Sequence, residues 1–275
     1  SALQAAKVLK LPVTSDFRTN FQSYSKHYGV GWLRKPIVAY LRKFHNATAC
    51  TMVPTKELMR TLNENGFLNL KVVSRGVDTQ LFNLQKRDLQ LRASWGADEK
   101  TKVLISVGRM APEKNLDKVL QSYEALRSRG APVKLVMVGD GPLREQFQQK
   151  YPDVIFPGML VQSDLAAYYA SADLFVFPSQ TETFGNVTLE ALASGIPVLA
   201  FDCAAARDWV QPNVNGWLVA ENNPEGFVEK AVSLFQQPEL LDQVTQSTRH
   251  QLVHLDWDQI AEQVEGVFWN AIRMR

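Results

Sequence analysis

From residue 102 onward the chain alternates short apolar runs with stretches of helical period. That alternation limits the folds open to it more than any other feature. Lys102-Val103-Leu104-Ile105-Ser106-Val107 is almost continuously apolar, and so are Val133 to Val138, Val154-Ile155-Phe156, Asp173 to Phe177 and Pro197 to Phe201. Helical patterns fall between them at 115–129, Pro142 to Tyr151, Ser163 to Ser171 and Asn186 to Ser194. Strands apolar on both faces belong in a parallel sheet covered by helices on both sides. Two or three further helices, at 224–236, 239–253 and 257–272, close the chain.

The first part of the chain follows the same pattern less regularly. A helix is expected over Ser1 to Lys10, a short strand over Leu11 to Ser15, and a helix over Gly31 to His45 entered through Trp32 and Pro36. Strand Thr48 to Val53 and helix Thr55 to Asn65 follow, the latter with Thr55 as its cap. Leu70 to Ser74 is another strand. A polar link around Asn83–Asp88 then suggests domains at 1–85 and 86–255, with a final helix at 256–275 that crosses back to the first.

Charge divides the chain along the same line. Residues 1–85 hold twelve Lys and Arg against four Asp and Glu, and residues 86–275 hold eighteen against twenty-four. Residues 17–56 contain no acidic residue, but carry Arg18, Lys26, Arg34, Lys35, Arg42, Lys43 and Lys56 together with His27 and His45. Basic residues mixed with Trp32, Tyr40 and Phe44 suit an anionic membrane surface. A helix packed on its own sheet with its cations turned outward fits the same residues. No nucleic-acid motif accompanies the charge, so nucleic acid is not an expected partner. No run of about eighteen apolar residues is present to cross a bilayer. Cys50 and Cys203 are too few for a disulfide framework or a zinc site, and both are expected as buried thiols.

Ligands of doubly wound sheets bind beyond the carboxyl ends of the strands. The loop after the first regular strand reads Gly108-Arg109-Met110-Ala111-Pro112-Glu113-Lys114-Asn115. Two cations at a helix start oppose its dipole unless an anion sits with them, which makes this a candidate phosphate clamp. Two solvated surface charges would have the same spacing. The loop Pro178 to Asn186 runs through Gly185 into a helix, with Glu182 before it and Glu190 inside it. The amides of Phe184 to Val187 would point at an anion, and Gly195 and Pro197 end the helix. Asp256-Trp257-Asp258 has the form of a metal-binding pair, but reads better as a helix cap. Gly139-x-Gly141 lacks the third glycine of a dinucleotide fingerprint.

Taken together, the Gly-Arg-x4-Lys loop and the Glu-x7-Glu pair resemble the retaining nucleotide-sugar glycosyltransferases of family four. Gly139-Asp140-Gly141-Pro142, Phe156-Pro157-Gly158 and Asn215-Gly216 add to the likeness, in order. The resemblance implies an α/β GT-B fold of two Rossmann-like parallel-sheet domains, the N-terminal one incomplete because the match begins mid-domain. It implies that Arg109 and Lys114 hold the donor diphosphate and stabilise the leaving group, and that Glu190 accepts from the ribose hydroxyls. Glu182 would contact the donor sugar, with Glu182, Arg109 and Lys114 as the catalytic set. The amides of Phe184, Gly185, Asn186 and Val187 would meet sugar and phosphate, and the backbone at Met159 and Leu160 would read the base. Neither a metal nor another cofactor is expected. Arg18 stands where many members carry a His near the donor sugar; it can bind phosphate or a lipid headgroup but cannot act as a base.

The implied reaction moves a hexose from a nucleoside-diphosphate sugar, with retained configuration, to an acceptor, a membrane lipid in the first instance and a soluble sugar otherwise. The implied location is the cytoplasm, peripheral on the inner face of the membrane. A non-catalytic sugar-nucleotide-binding protein and a GT-B sugar-nucleotide epimerase are the alternatives.

Overall fold

The computed structural model describes residues 2–18, 34–182, 184–250 and 256–273. The expected helix start at Gly31–Leu33, the residues Trp32, Lys26 and His27, loop residue Thr183 and residues 251–255 lie outside the described residues. The chain divides into two compact units. One holds Ser1–Gly76, Thr181–Phe184 and Leu255–Arg275, and the other Val77–Gln180 and Gly185–His254.

In the first unit three parallel strands, β1 (Thr14–Asp16), β2 (Cys50–Val53) and β3 (Leu70–Val72), pair in the order β1-β2-β3. The helix Lys56–Glu64 is capped by Thr55, whose side chain accepts from the Leu58 amide at 3.1 Å. Val53, Leu58, Leu62, Phe17 and Phe67 form one apolar cluster. The helix Trp257–Arg273 packs Ile260 and Val267 against Met52 and Val73 in a second. Gly76 is fixed by that helix, because a Cβ there would come within 2.7 Å of the Trp257 indole.

Part of the positive charge of this unit is committed internally. Arg18 pairs with Asp16 at 2.6 Å. On the helix Arg34–His45, the exposed Arg42 donates to the Asn65 carbonyl at 3.0 Å. His45, counted above among the basic residues, is buried. Its Nδ1 lies 2.9 Å from the Ser15 hydroxyl, which also meets Thr48 and Thr51. Burial pushes the His45 pKa down against the pull of Asp16, so this ring adds no charge to the surface at neutral pH.

The second unit is a six-stranded parallel sheet in the order β6-β5-β4-β7-β8-β9. Its strands are β4 (Lys102–Val107), β5 (Val133–Val138), β6 (Ile155–Gly158), β7 (Leu174–Phe177), β8 (Val198–Phe201) and β9 (Gly216–Val219). One face packs Leu104, Leu135, Met137, Val176 and Phe201 against the helices Leu116–Arg127 and Pro224–Phe235. On the other, Phe175 meets Tyr169 of the helix Gln162–Ser171. Burial on both faces is why these strands read as nearly continuous apolar runs.

Strand β9 and the helix Ala204–Trp209 were not evident from the sequence. β9 is only four residues long and opens with Gly216, where a Cβ would overlap the Val198 carbonyl oxygen. Asn215 shapes its approach, accepting from the Gln211 amide at 2.7 Å and donating to the Trp209 carbonyl at 3.1 Å. The Asn215-Gly216 pair is thus a strand-pairing device.

The loops at the carboxyl ends of β4, β5 and β6 are laced by backbone hydrogen bonds. Met110 donates to Asp140, Leu143 to Met110, and Gly139 to Gly158, at 2.8, 3.0 and 2.8 Å. The lacing depends on glycine. Gly139 has φ +129° and a Cβ there would overlap the Gly108 carbonyl oxygen. Gly108 has φ +150° with no atom within 4 Å of an added Cβ.

The opposite pole of the sheet is tied by buried charge. Arg92 is 5% exposed and reaches Asp173 at 2.8 Å and the carbonyls of Ser171 and Thr101 at 2.7 Å each. Asp173 also accepts from the Val103 amide at 2.8 Å and pairs with Arg87 at 3.0 Å. The stretch from Val77 to the first strand therefore belongs to the second unit, ahead of the boundary at 85 suggested by composition.

Three substitutions test these ties. Arg92→Ala should destabilise the second unit by about 3 kcal/mol, because it strands buried carbonyls and one carboxylate partner. Denaturant unfolding measures it. Gly108→Ala should lose about 1 kcal/mol through its φ alone, and Gly139→Ala clearly more, since the facing carbonyl must also move. Equal unfolding midpoints for the two glycine variants would contradict the close approach.

Candidate active site

Winding reverses between β4 and β7, so the connections from these neighbouring strands depart to opposite sides. The crevice at such a reversal receives the two loops singled out above. Arg109 follows β4 and is exposed, and its side chain makes no hydrogen bond or ion pair among the described residues. Lys114, half-buried, ends a short 3-10 turn, Pro112–Lys114, that precedes the helix Leu116–Arg127. Asn115 between them adopts φ +52° and does not cap that helix with its side chain. Its Nδ2 instead crosses to the Pro178 carbonyl at 3.2 Å and to Gln180 Oε1 at 3.3 Å. The loops after β4 and β7 are thereby braced by one amide side chain, a role the sequence did not signal.

After β7 the helix Asn186–Ala193 begins at Gly185, with φ +91° and no side-chain cap. Its first turn carries no acidic residue. Amides at an uncapped start and the positive end of the dipole favour an anion. Gly185, Asn186 and Val187 are half-buried.

Glu190 stands in the second turn rather than the first, so complementing the dipole does not account for it. It is half-buried, and its Oε2 accepts from the Tyr169 phenol at 3.2 Å. Burial pushes the Glu190 carboxyl up, and the phenol opposes that shift. Tyr169 gave no signal in the sequence, where it reads as one more core residue of its helix.

The remaining candidates lie as follows. Met159, 80% exposed, and half-buried Leu160 follow β6. Gly158 just before them has φ +85° and lies against the Arg144 guanidinium, an added Cβ meeting its atoms at 3.3–3.5 Å. Glu182, half-buried, and Phe184, buried, belong to the segment grouped with the first unit, as does Arg18. The Glu-x7-Glu pair is therefore divided between the two units. Among the described residues no group of three or more His, Cys, Asp and Glu is placed to hold a metal ion.

Comparison with known proteins agrees with this architecture. The chain is 35% identical over 231 residues to a GDP-mannose-dependent alpha-mannosyltransferase of Mycobacterium tuberculosis, a match covering 84% of this chain and 60% of that protein. It is 34% identical over 209 residues to the alpha-monoglucosyldiacylglycerol synthase of Streptococcus pneumoniae, covering 71% and 47%. The chain thus spans about half to three fifths of the length of the curated relatives it matches. Its fold resembles that of Anabaena Alr3699/HepE, solved in complex with UDP and glucose, with TM-score 0.79 at 17% identity over 98% of this chain and 74% of that one. The fold is α/β with parallel sheets, as in GT-B glycosyltransferases. The family model for glycosyl transferases group 1 matches residues 88–251, more than half of the sequence, and the chain belongs to that family.

Proposed function

We propose that this chain carries the nucleotide-sugar site of a retaining glycosyltransferase of family four, which moves a hexose from a nucleoside diphosphate to a membrane lipid. The observation that carries the reading is the pair of features at the winding reversal. An exposed Arg109 without a protein anion, among the described residues, follows β4, and an uncapped helix start without an acidic first turn follows β7. Both are suited to a diphosphate. In the reaction the bond from the anomeric carbon to the diphosphate oxygen breaks, and the acceptor hydroxyl forms a new one as it gives up its proton. Negative charge grows on the departing diphosphate through an oxocarbenium-like state. Arg109, Lys114 and the Gly185–Val187 amides stabilise that charge. Glu190 accepts from ribose, Glu182 contacts the sugar, and the backbone at Met159 and Leu160 reads the base. Fixed cations make a metal unnecessary for this step.

A lipid acceptor is supported by the diacylglycerol named in the Streptococcus relative and by the surface of the first unit. The helix Arg34–His45 turns Val38 and Leu41 to its core, and leaves Lys35, Lys43, Tyr40 and Phe44 exposed. That face suits peripheral attachment to an anionic cytoplasmic leaflet. No helix among the described residues is long and apolar enough to cross a membrane.

Three measurements test the reading. Thermal-shift titration with uridine, guanosine and adenosine diphosphate sugars should identify a donor, and Arg109→Ala or Lys114→Ala should remove roughly 2–4 kcal/mol of transition-state stabilisation in transfer to diacylglycerol or an inositol lipid. Unchanged turnover in both variants would overturn the clamp. Sedimentation with anionic vesicles should weaken with salt, since exposed charges are screened over about 8–10 Å. Lys35→Gln with Lys43→Gln should weaken it further; Arg42 is left intact for its bond to Asn65. Equal sedimentation of parent and variant would reject this helix as the anchor.

A further inference from the structure

The Tyr169–Glu190 contact carries more than a packing role. Tyr169 is fully buried, its ring edge-on to Phe175 at 5.7 Å and to Phe82 at 6.0 Å. Three packed rings fix where the phenol points, and it ends on Glu190 Oε2 at 3.2 Å. Burial and the adjacent carboxylate push the Tyr169 ionisation well up, so the phenol remains a donor. Among the described residues it is the one hydrogen-bond donor to the Glu190 carboxylate.

Among the described residues, burial and the Tyr169 phenol are the influences on the Glu190 carboxyl. Strands β7 and β8, which pack against its helix, carry no charged residue. The helices Gln162–Ser171, Ala204–Trp209 and Pro238–His250 also pack there, yet of their described charges Asp164, Arg207, Asp208, Glu239 and Asp242 are not among the influences on this carboxyl. Burial raises its proton affinity and the phenol lowers it.

We propose that Tyr169 is a positioning residue for donor binding: its phenol occupies one acceptor site of the Glu190 carboxylate and turns the others toward the ribose hydroxyls. A carboxylate offers about four acceptor sites, so one internal donor leaves room for a vicinal diol. The inference rests on the reading of Glu190 as the ribose acceptor. The ionised carboxylate is the form that accepts, so affinity should fall as acidification protonates it. The phenol favours the ionised form, and without it that loss should begin at higher pH.

The test measures affinity for uridine and guanosine diphosphates, and for their 2′,3′-dideoxy analogues, from mildly acidic to neutral pH. The proteins are the parent chain, Tyr169→Phe, Glu190→Gln and the double variant. Tyr169→Phe should bind the ribose nucleotides about three- to tenfold more weakly at neutral pH, with the acid limb moved upward. It should have no effect on the dideoxy analogues or in the Glu190→Gln background, since the two groups act as one unit. If Glu190→Gln weakens ribose binding while Tyr169→Phe matches the parent in affinity and profile, the positioning role is overturned and the ribose reading stands. If Tyr169→Phe weakens ribose and dideoxy nucleotides alike, Tyr169 is only packing and the inference also fails. If Glu190→Gln binds like the parent, the ribose reading itself fails and takes the inference with it.

Discussion

Strand β4 lies at the centre of its sheet, with β5 and β6 on one side and β7 to β9 on the other. Connections leaving β4 and β7 wind in opposite directions, so neither covers the ends of both strands, and a crevice opens there. The chemistry of the second unit descends from that reversal. Arg109, Lys114 and Asn115 come from one loop, and Gly185 to Glu190 from the other. Asn115 braces the two, at the expense of a cap for its own helix. Below them, Gly139 and Gly141 let backbone lie on backbone, and a side chain at either position would push the β5 loop off the β4 loop.

The two poles of this sheet use arginine in opposite ways. At the amino ends, Arg92 and Arg87 direct their donors to Asp173 and to main-chain carbonyls. Such burial is tolerable because the fork of the guanidinium satisfies several acceptors at once. At the carboxyl ends, Arg109 is exposed and meets no such partner among the described residues. Residue type and net charge are the same in both places. The difference lies in what the fold brings within hydrogen-bond distance.

In the first unit the charge count of the sequence overstates the surface. Asp16 holds Arg18, the carbonyl of Asn65 holds Arg42, and burial keeps His45 neutral. Among the described side chains of the helix Arg34–His45, Lys35, Arg42 and Lys43 stand exposed beside Tyr40 and Phe44. The aromatic part of that face is as prominent as the basic part, because Tyr40 is 71% exposed.

The sequence determined the parallel sheet of the second unit, since strands buried on two faces must be apolar at every position, and five of its six strands were legible for that reason. It also determined the Thr55 cap and the two loops that carry the candidate site, because Gly-Arg-x4-Lys and Glu-x7-Glu are local patterns. Tertiary structure alone decided β9, whose four residues are too few for a periodic signal and whose glycine is there for a neighbouring carbonyl. It alone assigned residues 77–85 to the second unit, where Phe82 packs against Tyr169. It alone set a buried phenol against Glu190. Period and composition report what a residue's own element requires. A hydrogen bond between residues on two different helices leaves no trace in either, because each side chain satisfies its local pattern equally well without the other.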